Sequence, residues 1–437
     1  MRLDYLKIDR FKNLNGFAVD FDETCHEPVT VVLGRNGSGK SNLFEALVVI
    51  FRDLIKGKST VDFGYDLRYT LRGGAVGVRI WNPPPAKDQT DVLSSKPSLT
   101  ARGGEPIDAF SFTITENGKE SRIAKKDIPK FLPRYVVTYY SGVSNRLEHH
   151  FFQPQLEFRD ELLRGNVIPL RPLFYAKPIH SHFALLAFFM TEDPEVAEFL
   201  NEYPWIEGLE SALFVLKRPH WAKGQKQRKD GDPRFWYAGG VVKNFLSCLY
   251  DCALAPLRLP GRIQHSFDQV ENTEFLYLYL RDLEKLRKLA RDSVAAMQRS
   301  KGRQKTAVEK ETFNAAEFFK LLESTFMSDL IHETRIRVQV RHAGALTFRE
   351  LSEGEQQLLT VVGMLRFTRD EDSLFLLDEP DTHLNPAWGM EYLNILSKHA
   401  DTGKNSHLLV ATHDPLASPI CGAIRWRFWS AIQRAAR

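Results

Sequence analysis

The amino-acid sequence predicts an α/β fold. A mixed sheet is flanked by helices, an antiparallel β subdomain accompanies it, and a mostly helical insertion splits the core in two. Three observations lead there. Near the start, the continuous apolar run Val29–Leu33 reads as a buried parallel strand that enters a glycine-rich loop, and Asn42–Phe51 beyond it reads as a helix. Residues 335–414 return to strand–helix–strand–helix–strand order. Between these two segments, from about 150 to 330, the apolar spacing is mostly helical.

Taken in order, Leu3, Tyr5, Ile8, Phe17, Val19 and Phe21 alternate with polar residues and predict two short strands around a turn at Asn13–Gly16. Residues 52–130 mix turn signals with strand-like pieces, Val76–Trp81 and Phe110–Thr115, which fit an antiparallel sheet capping the core. Tyr135–Tyr140 is a further buried-type strand. The stretches 183–200 and 280–298 read as helices, the second carrying a stripe from Leu280 to Val294. No heptad pattern is sustained, which excludes a long coiled-coil arm. The domain boundaries expected are therefore 1–150, 151–334 and 335–415. Residues 416–437 form an atypical tail of Trp, Arg and Ile without amphipathic order, read as a truncated end or as a short helix docked on a partner.

Bulk properties narrow the class. With 437 residues, 43% hydrophobic and 26% charged, the chain has the composition of a globular protein with a sizeable core. A net charge of +4 permits a nucleic-acid surface without requiring one. The four cysteines show neither zinc spacing nor a disulfide framework, as expected of free thiols in a reducing compartment. The N-terminus lacks a signal-peptide core, and no stretch approaches the roughly 20 apolar residues of a membrane helix. A cytoplasmic protein with no membrane partner is expected.

Gly34-Arg35-Asn36-Gly37-Ser38-Gly39-Lys40-Ser41 matches the P-loop pattern in full and sits between a predicted strand and a helix. Glycines there let backbone N–H groups turn inward around phosphates, at the positive end of the following helix. Lys40 is expected to reach the β- and γ-phosphates, Ser41 to hold Mg²⁺, and Asn42 to border the nucleotide. Ser373–Glu379 is an apolar strand ending in adjacent carboxylates. In a P-loop enzyme Asp378 holds the Mg²⁺ shell and Glu379 orients and deprotonates the attacking water. Without the P-loop, the same pair reads as an acidic turn at a strand end.

Upstream of those carboxylates, Leu351-Ser352-Glu353-Gly354-Glu355-Gln356-Gln357 precedes a helix that Ser352 is placed to cap. This run resembles the ABC ATPase signature, usually written LSGGQ. Leu408–Thr412 is another buried strand, followed by His413, in the position of the family's switch histidine, which contacts the γ-phosphate; a lone histidine at a strand end is otherwise structural. In this order the motifs resemble ABC-type ATPase heads of the SMC, RecF and OLD kind, whose head is split by an insertion. The opening strands, and Glu379–Pro386 as the Walker B and D-loop run, carry the same resemblance. The short insertion brings it nearest to the compact AAA-family ATPases of bacterial anti-phage and restriction-associated systems of the Septu, PARIS and retron kind.

The resemblance implies ATP and Mg²⁺ as cofactors and an ATPase reaction with Lys40, Glu379 and His413 catalytic. It implies a homodimer or higher homo-oligomer in which Ser352, Glu353, Gly354 and Glu355 of one chain cover the ATP of the other, with Asp381–Asn385 near the seam. A sensor of infection that controls a separate nuclease or toxin effector follows from the same resemblance, since the chain shows no nuclease motif of its own. Two other readings stay open: an ATP-stabilised scaffold that cages an effector and turns over slowly, and a RecF-like DNA-repair ATPase. DNA or RNA is a partner if the basic stretches Lys217–Lys229 and Arg299–Lys310 contact phosphate backbones; the alternative for each is a solvated loop. No Q-loop glutamine stands out. Gln153 and Gln155 are candidates, or ordinary loop residues.

Overall fold

The computed structural model describes residues 1–21, 28–35, 37–58, 61–84, 110–142, 144–165, 170–222, 231–266, 268–300, 315–384, 386–400, 405–413 and 424–428. In chain order the elements begin with β1 (Arg2–Phe11), β2 (Leu14–Asp20), β3 (Val29–Leu33), α1 (Lys40–Ile55), β4 (Tyr65–Leu71), β5 (Val76–Asn82), β6 (Ser111–Glu116), β7 (Lys119–Arg122) and β8 (Tyr135–Tyr140). There follow α2 (His149–Leu163), β9 (Leu173–Tyr175), α3 (Ile179–Phe188), α4 (Pro194–Glu202), β10 (Ile206–Lys217), α5 (Gly240–Cys252), β11 (Leu257–Gln264) and β12 (Val270–Leu280). The chain continues through α6 (Leu283–Ser300), α7 (Ala315–Met327), β13 (Ile331–Val340), β14 (Gly344–Thr347), α8 (Glu353–Thr368), β15 (Ser373–Asp378), α9 (Pro386–Ala400), β16 (Ser406–Thr412) and β17 (Ile424–Phe428).

The chain divides into two compact units, one of residues 1–151, 172–175 and 368–437, the other of residues 152–171 and 176–367. In the first unit the two strand senses segregate. One six-stranded sheet, in the order β17-β3-β16-β15-β8-β9, has parallel pairing throughout. All six residues of β15 and all seven of β16 are buried, as parallel strands covered on both faces require. The other sheet, β2-β1-β4-β5-β6-β7, is antiparallel. Its β4 alternates buried and half-buried residues, so one face is turned to the core. Leu6, Ile8, Leu67, Tyr69 and Ile80 from this sheet, Leu47, Ile50 and Phe51 from α1, and Leu374, Leu376 and Leu409 from the parallel sheet form one hydrophobic cluster.

A buried histidine ties the first strand to the last of the central strands. The Leu3 amide donates to Nδ1 of His407 at 3.0 Å, so Nε2 carries the ring proton and meets Thr30 Oγ1 at 3.0 Å. Burial pushes the His407 pKa down to about 3, so the ring is neutral.

The second unit contains the five-stranded antiparallel sheet β11-β12-β10-β13-β14 together with helices. The helical spacing over 151–334 does not announce the long strands β10, β11 and β12. The stretch 183–200 is two helices, because Asp193 caps α4 through the Glu195 amide and Pro194 starts it. Leu280 closes β12, and the helix begins only at Leu283. Residues 335–367, expected with the end of the head, pack in this second unit, since β13 pairs with β10 and β14. In the tail, Ile424–Phe428 is a strand at the edge of the parallel sheet, paired with β3, where the sequence shows no ordered pattern.

Candidate functional site

The loop between β3 and α1 owes its shape to glycine. Gly37 and Gly39 take φ of 76° and 106°, a region L side chains rarely adopt. A Cβ on Gly39 would stand 2.8 Å from Asn13 Oδ1. Gly39 precedes the first turn of α1, which has no side-chain cap and no acidic residue, so its N–H groups and helix dipole are suited to meet an anion. Arg35 is exposed, Gly34 and Ser38 are half-buried, and Asn36 lies outside the described residues. Lys40 is only 5% exposed, and its Nζ donates to the carbonyls of Gly34 at 2.6 Å and Arg35 at 3.4 Å. Burial lowers the Lys40 pKa, opposed by the negative charges of Glu379, Asp378 and Asp381.

The carboxylates sit at the end of β15. Asp378 is fully buried, and burial pushes its pKa up to about 6. Neither of its oxygens has a partner at hydrogen-bonding geometry, although the Ser41 hydroxyl stands close enough to hold the pKa down. A buried carboxylate left without donors is costly. Two hard oxygen donors facing a serine hydroxyl are what a Mg²⁺ ion uses, so Asp378 and Ser41 fit that ion. Glu379 turns away from the strand with φ of 51°. Its amide donates to Ala411 O at 2.8 Å, and its carbonyl accepts from Ser141 Oγ at 2.6 Å and from Thr382 Oγ1 at 2.8 Å. His413 Nδ1 lies 3.3 Å from Glu379 Oε1, and both side chains are partly exposed. Asp381 accepts from Thr412 Oγ1 at 2.6 Å, and Asn385 is outside the described residues.

Around the loop runs a network that no sequence motif announces. Asn42 donates to Asn13 Oδ1 at 2.7 Å and accepts from Arg146 Nη2 at 2.8 Å. One turn along α1, Glu45 is buried and accepts Lys12 Nζ and His150 Nε2. Contacts with His150 and Lys12 outweigh burial and bring its pKa down to about 2. Ligand atoms of Glu45, His149 and His150 lie within 4.8 Å of one another. Lys12 already holds the carboxylate and Arg52 Nη1 donates to His150 Nδ1 at 2.9 Å, so this cluster is an ion-pair network rather than a cation cage.

The signature residues belong to the second unit. Ser352 and Glu355 form a capping box at the start of α8. Glu355 Oε2 accepts from the Ser352 amide at 2.6 Å and from its hydroxyl at 2.7 Å, and the Glu355 amide returns a bond to Ser352 Oγ at 3.3 Å. Ser352 and Glu353 are exposed, and Gly354 is buried. Gln153 and Gln155 lie on α2 rather than in a loop, and Gln153 donates to Glu157 at 3.0 Å. Of the first basic stretch, Lys217 pairs with Asp329 at 2.7 Å and Trp221 donates to Ser328 O at 2.7 Å, so both are engaged within the unit. Residues 223–229 and 301–310 lie outside the described residues. No helix among the described residues is long and apolar enough to cross a membrane.

Among solved structures, the chain is similar to the SMC head domain from Thermotoga maritima, with 12% identity over 95% of this chain and 90% of that one and a TM-score of 0.33. It is also similar to the Smc head domain with an extended coiled coil from Pyrococcus furiosus, bound to the C-terminal domain of ScpA, at 11% identity, the same coverages and a TM-score of 0.34. None of the curated proteins matches the chain. Residues 29–164 and 151–418 match the family described as "AAA domain, putative AbiEii toxin, Type IV TA system". The match spans most of the sequence: the chain belongs to that family, whose description is of an AAA domain.

Proposed function

We propose that the protein binds and hydrolyses Mg²⁺-ATP and that it works as a homodimer closed by the nucleotide. The observation that carries this reading is the fully buried, unpartnered Asp378 at the end of β15, a carboxylate whose cost is offset when a cation joins it. In this reading the uncapped start of α1 and Lys40 hold the phosphates, Ser41 and Asp378 hold Mg²⁺, and Mg²⁺ neutralises charge that builds on the β- and γ-phosphates. Glu379, turned out of the strand, orients the attacking water and takes its proton, while His413 beside it contacts the γ-phosphate. Ser352, Glu353, Gly354 and Glu355 of a second chain complete the site, so ATP joins two chains and hydrolysis releases them.

A closing and opening dimer suits a switch better than a metabolic enzyme. We place it in anti-phage defence, responding to nucleic acid and controlling a separate nuclease or toxin; the family description, which names a putative toxin of a type IV toxin–antitoxin system, supports such a setting. ATP turnover by the purified protein, with and without DNA or RNA, tests this. We expect Mg²⁺-dependent turnover that Lys40→Ala abolishes and nucleic acid accelerates. Turnover that survives Lys40→Ala removes the site assignment. Turnover indifferent to nucleic acid, with a second protein co-purifying tightly, favours the effector-caging scaffold instead.

A further inference from the structure

Of Lys12, Arg52 and Arg146, which lie near the P-loop, Arg146 is the one not committed to a carboxylate of its own. Lys12 is held by Glu45, and Arg52 by Asp53 at 2.8 Å and by His150. Arg146 differs. Its closest carboxylate among the described residues is Glu45 at 3.8 Å, and that carboxylate is already taken by Lys12 and His150. Its guanidinium is anchored by a single neutral acceptor, Asn42 Oδ1, at 2.8 Å. Its Nε is buried without a hydrogen-bond partner. The anchor is informative, because Asn42 directly follows Lys40 and Ser41 in the first turn of α1. The same turn carries Ser41, so Arg146 is held beside the place where the Mg²⁺ and terminal phosphate are expected. A guanidinium with five N–H donors, only partly satisfied, is suited to a phosphate oxygen.

We infer that Arg146 is the group that reads the terminal phosphate of the nucleotide at the P-loop and so distinguishes ATP from ADP. The inference rests on the proposed ATP site. It assigns to a residue six positions past the end of β8 a contact that neither Gln153 nor Gln155, both on α2, is needed to make. Asn42 then acts as a positioning residue: it fixes one edge of the guanidinium and leaves the rest to face the phosphates. A planar cation aimed at the γ-phosphate also stabilises charge that spreads over its oxygens during transfer.

The test is equilibrium binding of ATP and of ADP, each with Mg²⁺, to the wild type and to Arg146→Gln and Arg146→Lys, with the thermal midpoint of each protein measured without nucleotide. Losing one charge-assisted hydrogen bond to the γ-phosphate should weaken ATP about 10- to 100-fold in Arg146→Gln and leave ADP unchanged within about 2-fold. Arg146→Lys should restore part of the difference. Equal weakening of ATP and ADP, or a fallen thermal midpoint with the ATP-to-ADP ratio kept, assigns Arg146 a structural role and overturns the inference. So does an Arg146→Gln protein that binds both nucleotides as the wild type does. A wild type that binds neither nucleotide refutes the ATP site itself, a separate failure.

Discussion

The hydroxyl of Ser141 donates to the backbone carbonyl of Glu379 at 2.6 Å and joins the residue that follows β8 to the residue that follows β15. Glu379 has a left-handed φ of 51°, a conformation that costs a side-chain-bearing residue on the order of 1–3 kcal/mol and persists only when its surroundings hold it. Ser141, Thr382 and the Ala411 carbonyl supply that hold. Removing the hydroxyl should therefore misplace the carboxylate proposed to serve the water without touching the proposed phosphate cradle. Ser141→Ala is expected to lower kcat about 5-fold, the equivalent of one hydrogen bond, with ATP affinity unchanged, and Ser141→Thr to keep most of the rate. Steady-state kinetics beside ATP binding check this split.

Asp378 makes the opposite kind of prediction. A buried carboxylate without donors destabilises the fold while it equips the site. Asp378→Asn should raise the thermal midpoint at pH 8 without nucleotide, by a stability gain on the order of 3 kcal/mol if the pKa shift from 3.8 to about 6 is fully relieved. The same substitution should abolish Mg²⁺-dependent turnover. A calorimetric scan of both proteins, with and without Mg²⁺, reads both effects. A midpoint below that of the wild type would show that the carboxylate is satisfied in solution.

Much of this site is legible in the amino-acid sequence alone, for a physical reason. The P-loop, the carboxylates after an apolar strand and the Ser352–Glu355 cap are each confined to a few adjacent residues whose roles follow from local conformation. Asn13 and the segment Arg146–His150 lie far from each other in sequence and both reach α1, and nothing in the spacing of Asn13 and Arg146 announces that both bond Asn42. The strands β11 and β12 are hard to read because they lack a clean alternation: all but two residues of β11 are exposed. Residues 335–367 cluster with the second unit, where β13, polar on one face, pairs with β10 in a register that no local pattern reveals. Strand β17 is short and mixes Arg with Trp, and only its pairing with β3 defines it.

His407 sets an acid limit on the first unit. Its folded pKa of about 3 lies below the ordinary 6.5, so the folded ring refuses a proton that the unfolded chain accepts. The stability this neutral ring contributes is present above pH 6.5 and is lost as pH falls from 6.5 toward 3. His407→Gln should be less stable at pH 7 by about 2–4 kcal/mol, since the Leu3 amide and Thr30 hydroxyl lose well-placed partners. Its stability should also fall less steeply below pH 6.5, so that the two proteins converge in acid. Urea unfolding at a series of pH values shows whether the curves converge or run parallel, and parallel curves would mean the histidine titrates normally.

The most direct measurement of the central proposal is the solution mass of Glu379→Gln by light scattering, without nucleotide, with ADP and with ATP, each with Mg²⁺. Glutamine keeps the shape of the side chain but cannot take the proton from water, so bound ATP should persist and hold two chains together. The prediction is a shift to dimer mass with ATP alone, reversed by a second substitution at the exposed Ser352 to arginine. A protein that stays monomeric at saturating ATP, or one that dimerises equally with ADP, contradicts an ATP-closed dimer.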